Sequence, residues 1–149
     1  MASRPNRTAA MPSSTAAGYS GTPLAGKLGY KSGTRAYLAG APPDYSGLLE
    51  PLPDGVVFEA EPGRQTDLAH IFVRERDELA VQLAWLRVQL RAEAVLWVSW
   101  PKKSSKMPST VVEDTVRELA LPLGWVDVKV CAVSEIWSGL KLVVRKGLR

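Results

Sequence analysis

Residues 68–100 constrain the fold most, because they predict a strand, a helix and a second strand in close succession. Leu68–Val73 and Ala94–Trp100 are short and continuously apolar, which is typical of strands buried on both faces of a parallel sheet. Between them, the predicted helix Arg76–Ala92 has leucines spaced four, three and four residues apart, which is one face of a 3.6-residue period. A helix that joins two parallel strands makes a right-handed crossover. The sequence therefore predicts an α/β fold.

The segments on both sides extend this unit. Before it, the sequence predicts a short helix, a strand, a second short helix and another strand, at Pro23–Leu28, Thr34–Ala39, Asp44–Glu50 and Val56–Glu59. After it, we expect one more helix and two final strands, Trp125–Val133 and Leu140–Arg145. No helix separates these two strands, so they are expected to pair antiparallel at or near one edge of the sheet. Their connector, Ser134–Gly139, is predicted to be longer than a tight hairpin.

Capping residues mark the ends of two of the helices. Thr22 is predicted as the N-cap of the first helix, with Pro23 at its first position and Gly29 as its left-handed C-cap. Thr110 and Glu113 match a capping box, in which the two side chains satisfy the first amides of a helix. The last predicted helix is therefore expected to have Thr110 as its N-cap.

Charge is unevenly distributed along this chain of 149 residues, whose length fits one domain. Residues 1–43 contain five basic residues and no acid, whereas the remaining 14 basic residues face 15 acids. The net charge of +4 therefore does not indicate a basic domain surface. Residues 1–18 have almost nothing to bury and are predicted to form a disordered arm, and residues 19–149 a single domain. A true start at Met11 is an alternative explanation of the arm.

Cysteine, histidine and hydropathy exclude several classes of site. Cys131 is the only cysteine, which excludes an intramolecular disulfide and fits a reducing compartment, so we expect a cytoplasmic protein. No apolar run approaches the roughly 20 residues that cross a bilayer, so no membrane contact is predicted. His70 lies inside a predicted strand and is expected to be a hydrogen-bonded core residue. No metal site is predicted, because the chain has no second histidine and Cys131 has no obvious partners.

The strongest candidate site follows the strand that ends at Trp100. Ligands collect at the carboxyl ends of strands in open α/β sheets. An anion such as a phosphate or nucleotide would bind there to the positive charges of Lys102, Lys103 and Lys106. The Ser104 hydroxyl would donate a hydrogen bond to it, and the Trp100 ring would lie beside it. A solvated surface loop is the alternative interpretation. Trp97 and Trp100 face opposite sides of the strand, so we expect one in the core and the other as an aromatic wall beside the lysines.

Trp137 and Ser138 precede the last predicted strand and add a second candidate position. If the connector lies at one end of the sheet, Trp137 would be a stacking platform for a flat ligand. It would equally serve as a plug at the end of the core, and we favour the plug.

This order of elements resembles the class I methyltransferase fold, a relative of the Rossmann fold, with one strand–helix unit missing in the middle. Three segments also resemble a bacterial family catalogued as a domain of unknown function: Trp100-Pro101-Lys102-Lys103, Leu121-Pro122-Leu123-Gly124 and Trp137-Ser138-Gly139-Leu140-Lys141-Leu142-Val143. The similarity covers about Gly18 to Lys146. It implies a bacterial origin and a small Rossmann-like three-layer sandwich, with a mostly parallel sheet and an antiparallel C-terminal strand pair.

The chain departs from the methyltransferase pattern where the cofactor would bind. The turn after the first strand of such an enzyme is rich in glycine, but here it contains only Gly40. Pro42 and Pro43 remove N–H donors from the same turn. The resemblance implies that Gly40, Asp44 and Glu59 would hold the cofactor, and both Glu59 and Glu61 are in range to bind the ribose hydroxyls. Because the turn is altered, we expect no S-adenosylmethionine binding.

Three functions are compatible with these observations. We favour a non-catalytic binding or interaction module, because no set of catalytic residues is apparent. The second is a small transferase or nucleotide-binding protein that uses Glu59 and the loop 102–106 at the strand ends. The third is a single-stranded nucleic-acid binder that uses the basic arm, Trp100 and the lysines. A homodimer through an exposed sheet edge is left open.

Overall fold

Six strands form one sheet, and helices cover both of its faces. The computed structural model describes residues 22–149, so the predicted arm, residues 1–18, lies outside the described residues. The strands are β1 (Arg35–Ala39), β2 (Val57–Glu59), β3 (Leu68–Phe72), β4 (Val95–Pro101), β5 (Trp125–Ala132) and β6 (Trp137–Val144). The helices are α1 (Leu24–Leu28), α2 (Tyr45–Leu48), α3 (Arg76–Gln89) and α4 (Glu113–Ala120). None of the helices in the described part is long and apolar enough to span a bilayer.

The strand order is β2-β1-β3-β4-β6-β5. β1 pairs in parallel with β2 and β3, and β3 pairs in parallel with β4. β6 lies antiparallel between β4 and β5. The predicted mostly parallel sheet with an antiparallel C-terminal pair is confirmed.

One side of the sheet, here called the α3–α4 face, carries the larger core. The four leucines that predicted α3, at positions 79, 83, 86 and 90, are at most 2% exposed and pack against β3, β4 and β6. Burying a leucine side chain stabilises a fold by about 1.5–3 kcal/mol. The 3.6-residue period therefore identified the face of α3 that covers the sheet.

The other side, here called the α1–α2 face, has a smaller and more aromatic core. Leu28 of α1 and Tyr45 of α2 pack with Phe72 and Trp97 of the sheet. The Trp97 indole N–H donates a hydrogen bond of 2.7 Å to the Leu28 carbonyl, which ties α1 to β4. Two helical layers around one sheet confirm the predicted three-layer sandwich.

The predicted start of α1 is wrong by a short distance. α1 begins at Leu24, and the residue before it is Pro23 rather than Thr22. The Pro23 carbonyl accepts the first helical hydrogen bond, from the Lys27 amide at 3.1 Å. Gly29 ends the helix in the left-handed conformation, with φ 100°, as predicted.

The connector between β5 and β6 is shorter than predicted. β6 begins at Trp137 rather than Leu140, so Trp137 and Ser138 belong to the strand. The amides of Val133 and Ser134 both donate to the Trp137 carbonyl, at 2.9 and 3.2 Å. The Ser134 hydroxyl accepts from the amides of Ile136 and Trp137, both at 3.1 Å. These bonds close a tight turn that the sequence pattern did not reveal.

The predicted capping role of Thr110 is also wrong, because Thr110 caps a different helix. α4 begins at Glu113, and its preceding Val112 amide donates to the Thr115 hydroxyl at 3.1 Å. The Thr110 hydroxyl instead accepts a hydrogen bond of 2.7 Å from the Arg76 amide at the start of α3. The reason is tertiary: the loop after β4 crosses to the end of β3, where it meets the N-terminus of α3.

Replacing Thr110 should therefore weaken α3 rather than α4. We expect Thr110→Ala to lower the free energy of unfolding by about 1 kcal/mol, because one amide of α3 loses its acceptor. Urea unfolding measures this change, and hydrogen exchange should become faster at the Arg76 amide. Thr110→Ser keeps the hydroxyl and is the control. An equal loss in both variants would show that the hydroxyl is not the cause.

Candidate functional site

The carboxyl ends of β1, β3 and β4 lie along one edge of the sheet, which is where open α/β folds bind ligands. The chain leaves β1 at Gly40, β3 at Val73 and β4 at Lys102. The turn between β5 and β6 reaches the same edge, since the Lys102 amide donates to the Ile136 carbonyl at 2.7 Å. The predicted strand-end loop and the β5–β6 turn are therefore neighbours.

The turn after β1 rests directly on the end of β3. Gly40 has φ 70°, and a Cβ added there would lie 2.7 Å from the Phe72 carbonyl oxygen. A contact that short is impossible for a side chain, so only glycine fits. The space that this glycine leaves open is thus filled by the backbone of β3. Asp44 follows, exposed, before α2, and its side chain makes no capping hydrogen bond.

Glu59 is held at the end of β2 by three neighbours. Its carboxylate accepts hydrogen bonds from the Thr66 hydroxyl at 2.7 Å, the Arg35 guanidinium at 2.8 Å and the Gln65 amide at 3.2 Å. Burial of Glu59 tends to raise its pKa, but these hydrogen bonds together lower the pKa below its usual value. The side chain is only 7% exposed. A ribose would have to compete with these three partners for the carboxylate.

The lysine loop after β4 is a short, well-connected turn. Residues Lys103–Ser105 form one 3₁₀ turn, and the Ser105 hydroxyl donates to the Lys102 carbonyl at 2.7 Å. Lys106 ends the turn with φ 62°, a left-handed conformation that is uncommon outside glycine. Lys103, Ser104 and Lys106 are exposed, and Lys102 is half-buried. Four of the predicted ligand-binding residues therefore lie together in one loop.

The aromatic members of the predicted site are buried in the core and are not exposed beside that loop. Trp97 is fully buried on the α1–α2 face and Trp100 is 6% exposed on the α3–α4 face, so both tryptophans are core residues. Trp137 is 8% exposed and packs edge-on against Phe72, with ring centres 5.1 Å apart. Ser138 lies beside Trp100 in the β4–β6 register. No tryptophan of the described residues thus presents a ring to solvent beside the lysines.

A buried chain of hydrogen bonds crosses the α1–α2 face below the strand ends. The Tyr30 and Tyr45 hydroxyls are 2.8 Å apart, and the Tyr45 hydroxyl lies 2.8 Å from His70 Nδ1. On its other side, His70 Nε2 lies 2.7 Å from the Ser99 hydroxyl. His70 is thus a hydrogen-bonded core residue, as predicted. Sequence analysis missed its partners, although a histidine inside an apolar strand implies two of them.

Burial determines the protonation state of these hydrogen-bonded side chains. It lowers the pKa of His70 from 6.5 to about 3, so the imidazole is neutral in the fold. It also raises the pKa of Tyr30 to about 12, and that of Tyr45 still further. His70 and Ser99 are both fully buried, so these hydrogen-bonded side chains support the structure and offer no nucleophile to a substrate. Within residues 22–149, no three histidine, cysteine, aspartate or glutamate side chains gather as a metal site would need.

Comparison with solved structures identifies the fold. A Sulfolobus solfataricus protein assigned to the type 11 methyltransferases matches with a TM-score of 0.57 and 12% identity, over 83% of this chain and 90% of that chain. Aeropyrum pernix fibrillarin, solved with natively bound S-adenosyl-L-methionine, gives a TM-score of 0.52 at 11% identity, over 82% and 69% of the two chains. The chain has a class I methyltransferase-like fold.

Methanococcus jannaschii fibrillarin, a pre-rRNA processing protein, supports the same assignment with a TM-score of 0.51 at 8% identity, over 83% and 69% of the two chains. No curated protein matches the sequence. No family model matches either, which is consistent with a methyltransferase-like domain of unknown function. Identities this low establish the fold of the methyltransferase-like domain alone. Residues 60–67 join β2 to β3 without a helix, in the part where the resemblance implied a missing unit.

The neutral state of His70 should make the domain sensitive to acid. Its pKa is lower in the fold than in the unfolded chain, so its stabilising contribution is complete above pH 6.5 and is lost as the pH falls towards 3. We expect the free energy of unfolding to fall by about 2 kcal/mol between pH 7 and pH 5. Urea unfolding at a series of pH values measures it. His70→Gln removes the imidazole, and equal slopes in both proteins would contradict the assignment.

The close approach of Gly40 to Phe72 gives a second test. We expect Gly40→Ala to lower the free energy of unfolding by about 1–3 kcal/mol, because the new methyl group meets the Phe72 carbonyl and the backbone has a positive φ. Gly47→Ala in α2 is the matched control: nothing lies within 4 Å of its Cβ, and alanine favours a helix. Thermal or urea unfolding compares the two. A Gly40→Ala protein as stable as the Gly47→Ala protein would show that the turn after β1 does not rest on β3.

Proposed function

We propose that this protein is a binding module that has the methyltransferase-like fold but performs no methyl transfer. The observation that carries the proposal is the contact between Gly40 and the Phe72 carbonyl, 2.7 Å from the position of a Cβ. In Rossmann-like folds, the turn after the first strand leaves space in which the cofactor approaches the backbone. Here the space beside Gly40 is taken up by the Phe72 carbonyl of the neighbouring strand.

Two further features of the strand ends support the same conclusion. Pro42 and Pro43 follow Gly40 and have no N–H to donate to a ligand. α2, the helix after this turn, is only four residues long, so it offers a weak N-terminal dipole to a negatively charged group. The Glu59 carboxylate is already used by Thr66, Arg35 and Gln65. The residues present therefore do not fit S-adenosylmethionine.

A non-catalytic role also agrees with the chemistry of the interior. The one serine–histidine contact among the described residues joins Ser99 and His70, and both are fully buried. A nucleophile needs a base within reach and an open path for the substrate. Cys131 is half-buried, and burial raises the pKa of its thiol, which disfavours the reactive thiolate. A reducing compartment, the cytoplasm, suits this free thiol.

Calorimetry tests the proposal directly. Titration of the intact protein with S-adenosylmethionine, and separately with S-adenosylhomocysteine, should give no saturable heat, because the turn after β1 has one glycine, which packs on β3, and two prolines without N–H donors. A methyltransferase of known affinity, titrated in the same buffer, is the positive control. Circular dichroism of the sample establishes that the protein is folded. A saturable isotherm with a dissociation constant in the micromolar range would overturn the proposal.

A further inference from the structure

Lysines and arginines have different roles in this domain. Within residues 22–149, every ion pair uses one of four arginines: Arg35, Arg76, Arg91 and Arg117. All eight lysines of the chain lie in the same range, and none of them takes part in an ion pair there. Their charges are therefore available to a partner.

Two of these lysines lie directly opposite each other. Lys129 of β5 pairs with Lys141 of β6 in the antiparallel register. Side chains opposite each other in such a pair have Cβ atoms about 4.5–5.5 Å apart, and like charges at that distance destabilise the sheet. Lys141 also lies beside Trp97 in the β4–β6 register, which places both lysines on the α1–α2 face. The fold thus retains a repulsive pair on one face.

A third lysine comes from α1. Lys27 and Lys129 both lie close enough to the Cys131 thiol to favour its ionised form, although burial outweighs them and the pKa of the thiol is raised. Cys131 follows Lys129 by two residues in β5 and is half-buried at the margin of the aromatic core. Lys27 and Lys129 thus lie near one thiol, and Lys141 lies opposite Lys129; these three lysines are here called the lysine patch.

The carboxylates of the β5–β6 hairpin lie away from the lysine patch. The β5–β6 hairpin contains only two acids, Asp127 and Glu135. Asp127 lies on the opposite face of β5, where it bonds to Arg117 of α4 at 2.9 Å and where that arginine lowers its pKa. Glu135 is exposed in the turn beyond the end of β5, six residues along the chain from Lys129. Hence neither acid neutralises the patch.

The charge continues from the patch towards the carboxyl ends of the strands. Lys141 is four residues from Trp137, or about 13 Å along β6. At that end the lysine loop joins the β5–β6 turn through the bond between the Lys102 amide and the Ile136 carbonyl. Lys103 and Lys106 are exposed there. Two groups of lysines separated along the same strands suit an extended polyanion better than one phosphate ion.

From this arrangement we propose that the lysine patch binds the phosphodiester backbone of a nucleic acid, independently of base sequence. Lysines contribute point charges that displace the counterions of nucleic acids. Phosphate contacts position a nucleic acid but do not read its bases, and none of the three lysine side chains has a hydrogen-bonding partner within residues 22–149 that would orient it towards a base edge. This partner belongs to the binding role proposed above, so the inference rests on that proposed function. Cofactor binding is measured separately, so either proposal can fail alone.

The test is fluorescence anisotropy with a labelled oligonucleotide, as a single strand and as a duplex, over a series of salt concentrations. Three lysine contacts predict that the logarithm of the association constant falls against the logarithm of salt with a slope of about −2 to −3. The double variant Lys129→Gln/Lys141→Gln should lose about tenfold or more in affinity, and its slope should be less negative by about two. The Cys131 thiol gives a second readout: the oligonucleotide should slow its reaction with a thiol reagent.

The control removes the same charge elsewhere. Lys31→Gln/Lys146→Gln replaces two exposed lysines, one before β1 and one after β6, at the opposite edge of the sheet from Trp137. This variant should keep most of the affinity. The Lys129→Gln/Lys141→Gln variant should unfold at no lower temperature than the parent at low salt, because it relieves a repulsion. A loss of binding then cannot come from unfolding.

Several outcomes would overturn the inference. One is the lack of saturable binding to either oligonucleotide at about 50 mM salt, where phosphate contacts are strong. Equal losses in the two double variants would mean that net charge, rather than the lysine patch, attracts the nucleic acid. Binding to vesicles containing anionic lipid that is tighter than binding to the oligonucleotides would assign the patch to a lipid surface. Full competition by inorganic phosphate would assign it to a free phosphate group.

Discussion

The turn after β1 approaches β3 so closely that residue 40 has no room for a side chain. This contact joins the two neighbouring strands at the end of the sheet where a Rossmann-like fold usually opens for its ligand. A glycine that approaches a cofactor and a glycine that approaches a neighbouring strand have the same sequence signature. Their consequences differ, because in the second case the space beside the glycine is taken up by protein and not by a ligand. The functional interpretation of the domain therefore depends on whether Gly40 makes room for a cofactor or for the neighbouring strand.

The interior below this edge has a polar chain within an apolar layer. Tyr30, Tyr45, His70 and Ser99 come from four separate segments and satisfy one another. In a low-dielectric core, unpaired polar groups are costly, so each member fixes the position of the next. The chain therefore aligns α1 and α2 on the sheet through specific bonds, whereas α3 and α4 are held mainly by the burial of leucine and valine.

Arginines and lysines have different roles on the surface: the arginines form ion pairs that hold elements together, and the lysines are left for binding. Arg117 bonds to Glu113, Asp114 and Asp127, and thereby joins α4 to β5. Planar guanidinium groups suit such shared contacts, whereas the lysine ammonium is a compact, flexible charge. The lysines lie outside these networks, and two of them face each other across strands. A protein that tolerates such repulsion on one face has a surface suited to anions.

The sequence by itself determined the fold class, because hydrophobic periodicity and the order of strands and helices are local properties of the chain. The leucine period of α3 and the apolar runs of β3 and β4 predicted a mostly parallel sheet, and β1 to β5 begin within one residue of their predicted starts. The lysine loop at 102–106 was also predicted as a unit. Contacts between distant segments were not predictable in this way. Only the tertiary structure decided that Thr110 caps α3, that Trp100 is buried, that Gly40 rests on Phe72 and that Lys129 faces Lys141. Each of these depends on which segments the fold brings together, and no local pattern of residue types specifies such a pairing.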